Sequence, residues 1–207
     1  MTALIIANGT LPSRKIVSDL ARQADLIVCA DGGANHALRL GIRPDLILGD
    51  LDSVTKSTLR AFRRVPLGYV DDQNSTDLEK TIRYCIHRGC RIIHVTGGFG
   101  SRIDHATGSI GCVRRFMPKC TVILHDESGY LMPVGRKIRV ATRTGEMVSL
   151  IPLTKCTGVT TSNLHYPLNN STLEMGVREG IHNIATGRIV QVSLRRGFLL
   201  LYRVRNA

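Results

Sequence analysis

Leu46-Ile47-Leu48-Gly49-Asp50-Leu51-Asp52-Ser53 is a short apolar run that ends in two acids. Successive strand residues point to opposite faces, so an Asp-x-Asp spacing directs both carboxylates the same way. Two carboxylates that close repel each other unless a cation lies between them, and Mg²⁺ binds carboxylates together with phosphate oxygens. The alternative is a solvated turn in which Ser53 caps the next helix. This stretch alone does not choose between the two interpretations.

Similar apolar runs recur through the first half of the chain, at residues 4–6, 26–29, 92–95 and 121–124. Amphipathic segments with helix-capping residues separate them, and we predict helices at residues 13–23, 34–40, 55–64, 75–87 and 104–115. Near-continuous apolar strands that alternate with helices are typical of a parallel sheet covered on both faces. We therefore predict a Rossmann-like α/β domain at residues 1–126.

Beyond Ser128 the pattern changes to short alternating segments punctuated by Gly, Pro and Asn, such as residues 137–140, 147–151 and 189–192. Closely spaced short strands of this kind indicate an antiparallel sandwich. We predict that a small C-terminal β-sandwich domain occupies residues 127–207.

The 207 residues are 43% hydrophobic and 21% charged, which is ordinary for a globular protein and excludes disorder. A formal charge of +12 should attract anionic ligands. The basic residues are scattered, however, in pairs such as Arg63-Arg64, Arg114-Arg115 and Arg195-Arg196, and aromatic residues make up only 4% of the chain. Since base-stacking platforms need aromatic side chains, we expect no specific nucleic-acid partner.

The six cysteines include no C-x-x-C pair and lie mostly within apolar segments. Such cysteines indicate reduced thiols in a cytoplasmic protein rather than a zinc site or a disulfide framework. No apolar stretch is long enough to span a bilayer, and the first apolar run, without a basic region before it, is interpreted as a strand rather than a signal peptide. We expect a cytoplasmic protein without a membrane partner.

Polar residues cluster in the loops that should follow the strands, at the sheet edge where open α/β folds bind ligands. The acids of these loops are Asp31, Asp50, Asp52, Asp77 and Asp104. The other polar candidates are Asn35, Gln73, Thr76, Arg102 and His105. Glycines at positions 32, 33, 97, 98 and 100 would let backbone amides approach an anion.

Four ordered motifs carry a family resemblance: residues 30–35 (ADGGAN), 49–53 (GDLDS), 72–80 (DQNSTDLEK) and 96–105 (TGGFGSRIDH). In the second half, residues 159–161, 166–168 and 180–183 match as well. On these residues the chain resembles the thiamine pyrophosphokinase family along nearly its whole length. The resemblance implies a nucleotide-binding α/β domain joined to a thiamine-binding sandwich.

The resemblance further implies transfer of a pyrophosphoryl group from ATP to the hydroxyl of thiamine, giving thiamine diphosphate and AMP. It implies a homodimer whose active site lies between the α/β domain of one subunit and the sandwich of the other. The implied Mg²⁺ ligands are Asp50, Asp52 and Asp77, which with Arg102 form the catalytic set. The implied ATP contacts are Asp31, Asn35, Gln73, Thr76, Arg102, Asp104 and His105, and the implied thiamine contacts are His182 and Asn183.

His182 departs from the family pattern, because members commonly carry a Ser beside the Asn at this place. A related pyrophosphokinase acting on another alcohol, such as a hydroxymethylpterin, is therefore an alternative. A non-catalytic basic protein that binds nucleic acid through its charge is another.

Overall fold

The computed structural model describes residues 1–70, 72, 74–100 and 102–205, and the chain divides into two compact units, Met1–Glu127 and Ser128–Ala207. The boundary predicted from the sequence, between residues 126 and 127, lies one residue from this division. The predicted fold class, an α/β domain followed by an antiparallel β-sandwich, is confirmed.

The first unit is built on a parallel sheet. Its strands are β1 (Thr2–Ile6), β2 (Leu26–Ala30), β3 (Leu46–Gly49), β4 (Leu67–Tyr69), β5 (Ile92–Thr96) and β6 (Thr121–His125). Their order across the sheet is β6-β5-β1-β2-β3-β4. The central strand β1 is buried along Ala3–Ile6, which explains its continuous apolar sequence.

Helices connect these strands: α1 (Arg14–Gln23), α2 (Gly33–Leu40), α3 (Lys56–Ala61), α4 (Asp77–His87) and α5 (Ile103–Phe116). Each lies within the segment predicted for it to within a few residues at either end. The largest difference is α3, which ends at Ala61 rather than near Arg64. Among the described residues, none of the helices combines the length and apolar character that crossing a lipid bilayer requires.

The second unit contains two antiparallel sheets, ordered β12-β9-β14-β7 and β11-β10-β13-β8. Their strands are β7 (Gly129–Val134), β8 (Lys137–Ala141), β9 (Met147–Pro152), β10 (Cys156–Ser162), β11 (Ser171–Leu173), β12 (Gly180–Ile184), β13 (Ile189–Ser193) and β14 (Leu199–Val204). Both sheets contribute alternate apolar side chains to one buried cluster, including Leu150, Val159, Val192 and Leu199. Two sheets that share one core make a β-sandwich.

A buried ion pair stabilises the second unit. The Glu146 side chain is only 3% exposed, and Arg203 of β14 donates to both of its carboxylate oxygens at 2.9 Å. The hydrogen bonds from Arg203 hold the pKa of Glu146 below its usual value, although burial opposes them. A carboxyl group whose pKa is lower in the folded than in the unfolded state stabilises the protein at pH values above the unfolded-state pKa. This contribution is lost as the pH falls through the folded-state pKa.

Glu146→Gln is therefore expected to lower the free energy of unfolding by about 3 kcal/mol at pH 7, because it leaves Arg203 without its charged partner. The difference from wild type should shrink as the pH falls below the ordinary glutamate pKa of about 4.3 and then through the lowered pKa of the folded Glu146 carboxyl. Thermal unfolding at neutral pH and across this acidic range measures the effect. Glu174→Gln is the matched control, since Glu174 pairs with Lys155 at the surface, with its side chain 38% exposed. Equal losses in the two variants would contradict this role of Glu146.

Candidate active site

A cavity of about 500 Å³ lies in the first unit, where the loops that follow β1, β2, β3 and β5 meet the start of α4 and of α5. It is lined by residues 7–9, 30, 31, 50, 52, 53, 76–78, 97–99, 104, 105, 108 and 109. In the sheet, β1 lies between β2 and β5. The strands that follow β1 in sequence are added on the β2 side as far as β4, and β5 is then added on the other side, so the cavity lies at a switch in strand order. Ligands of open α/β sheets bind at such switch points.

Three carboxylates meet in this cavity. Oxygens of Asp31, Asp50 and Asp77 all lie within 4.8 Å of one another. Asp31 follows β2, Asp50 follows β3, and Asp77 is the first residue of α4. Three like charges this close repel one another unless a cation is bound or a proton is retained.

Asp31 is the buried member of the three. The residue is 5% exposed, and its Oδ1 has no hydrogen-bond partner among the described residues. Burial raises the pKa of Asp31, and the neighbouring charges of Asp77 and Asp50 add to the rise, while hydrogen bonds from Gly32 and Ser53 oppose it. The backbone at Asp31 is left-handed, with φ 45°, and its amide donates to Leu48 O at 2.9 Å. A strained residue with an unpartnered buried oxygen indicates a ligand position.

The donor set suits Mg²⁺, which binds oxygen ligands and commonly takes carboxylates together with substrate phosphates. Oxygens that share one Mg²⁺ lie about 3–4 Å apart, given metal–oxygen distances of about 2.1 Å. The spacing of the three carboxylates is close to this, and Asp31 Oδ1 is available as a ligand. These residues therefore fit the cation that the sequence predicted.

Asp52 lines the same cavity but does not belong to the three-carboxylate group. Its side chain is exposed, and its Oδ1 accepts from the Ser53 hydroxyl at 2.9 Å. The family resemblance placed Asp52 beside Asp50 as a Mg²⁺ ligand and placed Asp31 among the ATP contacts. The structure brings Asp31 closer to Asp50 and Asp77, because Leu51, with φ 65°, breaks the strand alternation on which the Asp-x-Asp argument depended.

The side chain of Asn35 is hydrogen-bonded to other protein groups, and Asn35 does not line the cavity. Its Nδ2 donates to Ser53 O at 2.8 Å, and its Oδ1 accepts from Thr55 N at 3.0 Å and from Thr58 Oγ1 at 2.7 Å. These hydrogen bonds give Asn35 a structural role, and its contact with nucleotide stays a prediction. Asn35 fixes the segment that joins β3 to α3, and with it the loop that carries Asp50.

Asp77 is oriented by Lys80 and lies on a helix that Thr76 caps. Lys80, whose side chain is 7% exposed, donates from Nζ to Asp77 Oδ1 at 3.1 Å. Thr76 lines the cavity and also caps α4, because its Oγ1 accepts from Glu79 N at 3.2 Å. The sequence analysis did not assign Lys80 a role, although an acid and a lysine three residues apart on a helix signal such a pair.

Arg102 and Asp104 form an exposed ion pair at the start of α5. Arg102 donates from Nε at 3.1 Å and from Nη2 at 2.5 Å to the two carboxylate oxygens. The hydrogen bonds from Arg102 lower the pKa of Asp104 to about 2. Asp104 and His105 line the cavity, whereas Arg102 lies outside the lining with its side chain 69% exposed. Gln73 lies outside the described residues.

Backbone groups form another wall of the cavity. Gly97 has φ 70° and a Cβ there would lie 2.3 Å from Ala7 O, so only glycine fits. Gly9 N donates to Gly97 O at 2.9 Å, which ties the loop after β1 to the loop after β5. The sequence analysis missed the Asn8-Gly9 loop, although Asn-Gly directly after a strand is a turn signal.

His182 and Asn183 belong to the second unit, on β12. His182 is exposed with φ 57°. Asn183 is 5% exposed, and its side chain is bound to the backbone: Oδ1 accepts from Tyr166 N at 3.0 Å and Nδ2 donates to Tyr166 O at 2.7 Å. The structure therefore gives Asn183 a supporting role, in which it fixes the segment that carries the exposed Tyr166.

Comparison with known proteins gives matches along both units. The family model of the thiamin pyrophosphokinase catalytic domain matches residues 17–124, and that of the thiamin pyrophosphokinase vitamin B1 binding domain matches residues 136–199. Thiamine pyrophosphokinase 1 of Arabidopsis thaliana is 30% identical over 204 residues, which cover 84% of this chain and 75% of that protein.

Thiamine pyrophosphokinase of Bacillus subtilis is 25% identical over 212 residues, which cover 98% of each chain. The crystal structure of thiamine pyrophosphokinase from Bacillus subtilis superimposes with a TM-score of 0.88 over the whole of both chains, at 23% identity. That of Geobacillus thermodenitrificans gives 0.87 over 100% of this chain and 99% of the other, at 22% identity. These two superpositions establish the shared fold.

Proposed function

Because this chain belongs to the thiamine pyrophosphokinase family, we propose that it transfers the pyrophosphoryl group of ATP to the hydroxyl of thiamine, giving thiamine diphosphate and AMP. The observation that carries the proposal is the group formed by Asp31, Asp50 and Asp77 at the carboxyl ends of the parallel strands. In this transfer a hydroxyl oxygen attacks the β-phosphorus of a highly charged triphosphate. Positioning and charge stabilisation therefore supply most of the catalysis.

We propose Mg²⁺ as the cofactor, held by Asp50 and Asp77 with Asp31 or Asp52 as a further ligand. When bound, Mg²⁺ neutralises phosphate charge and holds phosphate oxygens in a reactive orientation. The protein supplies fixed carboxylates for this purpose. Lys80 holds Asp77 in place, and Asn35 holds the loop that carries Asp50.

The glycine loop at residues 97–98 and the starts of α4 and α5 supply the remaining surface for ATP. Backbone amides at helix N-termini favour anions, and Thr76, Asp104 and His105 line the cavity there. Arg102 is the proposed phosphate ligand. The paired N–H donors of its guanidinium group are bound to Asp104. Arg102 would therefore bind phosphate either in place of Asp104 or in addition to it.

For the acceptor we propose contacts from the second unit, with His182 as the exposed side chain and Asn183 as its support. We also propose a homodimer with the active site between subunits. The edge strand β12 exposes Ile181 at 58% and Ile184 at 41%, and Met147 opposite Ile184 is 37% exposed. Apolar side chains grouped at a sheet edge support an interface there.

We propose a cytoplasmic location because of the state of the cysteines. All six are buried and unpaired, and burial raises the pKa of the Cys29 thiol to about 12. Unpaired thiols are usual in a reducing compartment. The hydroxymethylpterin and nucleic-acid alternatives find no support among the matching families, whose descriptions name thiamine.

The proposal is tested by incubating the protein with ATP, MgCl₂ and thiamine and separating the nucleotides and thiamine esters by chromatography. AMP and thiamine diphosphate should appear in equal amounts, and EDTA should stop the reaction. A hydroxymethylpterin replaces thiamine in a parallel reaction. Formation of ADP with unchanged thiamine, or a preference for the pterin, would overturn the proposed acceptor and reaction.

Lys80→Met is expected to lower kcat by about 10- to 100-fold, because Asp77 loses the partner that orients it. The methionine fills similar space, so the thermal midpoint should change little. The measurement is AMP formation at saturating ATP, thiamine and MgCl₂. Lys119→Met, which removes an exposed lysine near the end of α5, is the control and should retain wild-type activity. Equal activity in both variants would refute the positioning role of Lys80.

A further inference from the structure

A second cavity, of about 380 Å³, lies in the first unit and is lined by residues 43 and 60–65. Four of these seven residues are arginines, namely Arg43, Arg60, Arg63 and Arg64. Phe62 is half-buried and Val65 is buried. The result is an arginine-rich cavity with some apolar surface, which the proposed reaction does not use.

The arginine cavity and the candidate active site lie at opposite ends of the parallel strands. Arg43 lies between α2 and β3, and Arg63 and Arg64 lie between α3 and β4. Both connections lead from a helix into a strand, and β3 and β4 are parallel. They therefore lie at the amino ends of the strands, opposite the edge where Asp31, Asp50 and Asp77 meet.

The four guanidinium groups have no acidic partner in the part of the chain that the structure describes. Among the described residues, none of the four arginines forms an ion pair, and the one side-chain hydrogen bond they make is from Arg60 Nε to Lys56 O at 3.4 Å. Asp45, two residues after Arg43, accepts from Ile27 N at 2.8 Å and does not line the cavity. Four like charges around one concave surface repel one another, and a multivalent anion would relieve that repulsion.

The side chains that line the arginine cavity indicate which kind of anion it would bind. Guanidinium groups bind phosphate oxygens through paired donors. The cavity is compact rather than an extended stripe, and its single aromatic, Phe62, is half-buried, which leaves little surface for stacking bases. We propose that this arginine cavity is a binding site for a small anion with two or more phosphoryl groups. The inference is independent of the proposed function.

Binding of inorganic tripolyphosphate to the full chain, measured by isothermal titration calorimetry in EDTA, tests the proposal. EDTA removes divalent cations, so the carboxylates of the candidate active site repel the probe rather than bind it. The test variant is Arg60→Gln/Arg63→Gln/Arg64→Gln. The control is Arg136→Gln/Lys137→Gln/Arg139→Gln, which removes the same charge from exposed residues of the second unit.

We expect the test variant to bind tripolyphosphate at least tenfold more weakly than wild type and the control to bind within twofold. Equal weakening in both triple variants would show attraction to net charge and overturn the proposal, as would no weakening in either. A 20-nucleotide oligothymidylate serves as a second probe. If the test variant lost oligothymidylate binding while its tripolyphosphate binding stayed unchanged, the small-anion site would be refuted in favour of a nucleic-acid surface. Thermal midpoints within about 2 °C of wild type would show that both variants are folded.

Discussion

Asp77→Asn is expected to lower kcat for AMP formation by roughly 10²–10³-fold, which is the size of effect seen when one preorganised group that stabilises transition-state charge is removed. Asp77 is the first residue of α4, and its carboxylate lies with those of Asp31 and Asp50. The neutral amide keeps the shape but lowers the negative charge that holds the proposed Mg²⁺. Folding should persist with a lower thermal midpoint. Lys80 loses its charged partner, but the change also removes a repulsive charge and retains the oxygen that accepts from Lys80.

The measurement is a steady-state assay of AMP over a range of MgCl₂ concentrations. Asp19→Asn is the matched control, because the side chain of Asp19 on α1 is 41% exposed and, among the described residues, forms its ion pair with Arg22. Asp31→Asn and Asp52→Asn, assayed in parallel, compare the two candidates for the further ligand. An Asp77→Asn enzyme with more than a third of wild-type activity would exclude the proposed role of Asp77.

Gly33→Ala is expected to lower the thermal midpoint by about 10 °C or more. A Cβ at Gly33 would lie 1.9 Å from Ile6 O and 2.7 Å from Ile6 C. Ile6 is fully buried in the central strand, so neither backbone can move away cheaply. The close approach of α2 to β1 also fixes Asp31, two residues before Gly33, and any surviving protein should have reduced activity.

Gly111→Ala is the matched control for this change. Gly111 lies in α5, is exposed, and a Cβ there meets nothing within 4 Å. Alanine favours the helix over glycine by up to about 1 kcal/mol, so this variant should be as stable as wild type or slightly more stable. Differential scanning calorimetry of both variants provides the comparison. Similar midpoints for Gly33→Ala and Gly111→Ala would contradict the close packing at Gly33.

In the first unit, the strands that the sequence predicted are those with continuous apolar runs. Burial on both faces of a parallel sheet demands such runs, and β1, β2, β3, β5 and β6 all have them. The edge strand β4 was not predicted. It has only three residues, with Leu67 51% and Tyr69 65% exposed, so no burial constrains its sequence to a recognisable pattern.

The location of the candidate site was predictable for a similar reason. Acids and glycines that follow strands must gather at one sheet edge, whatever the details of each loop. The roles of individual side chains depend on backbone angles that the sequence does not specify. The left-handed residues Asp31 and Leu51 bring Asp31 into the carboxylate group in place of Asp52. Asn35 and Asn183 are bound to backbone groups, which only the folded chain reveals.

We expect the group formed by Asp31, Asp50 and Asp77 to support transfer of a pyrophosphoryl group rather than of a single phosphoryl group. The most direct test uses ATP labelled with ³²P at the β-phosphorus, together with thiamine and MgCl₂, followed by separation of nucleotides from thiamine esters. We expect the β-label to leave the nucleotide and appear in thiamine diphosphate in step with AMP. A β-label that stays in the nucleotide, with ADP as the product, would contradict the claim.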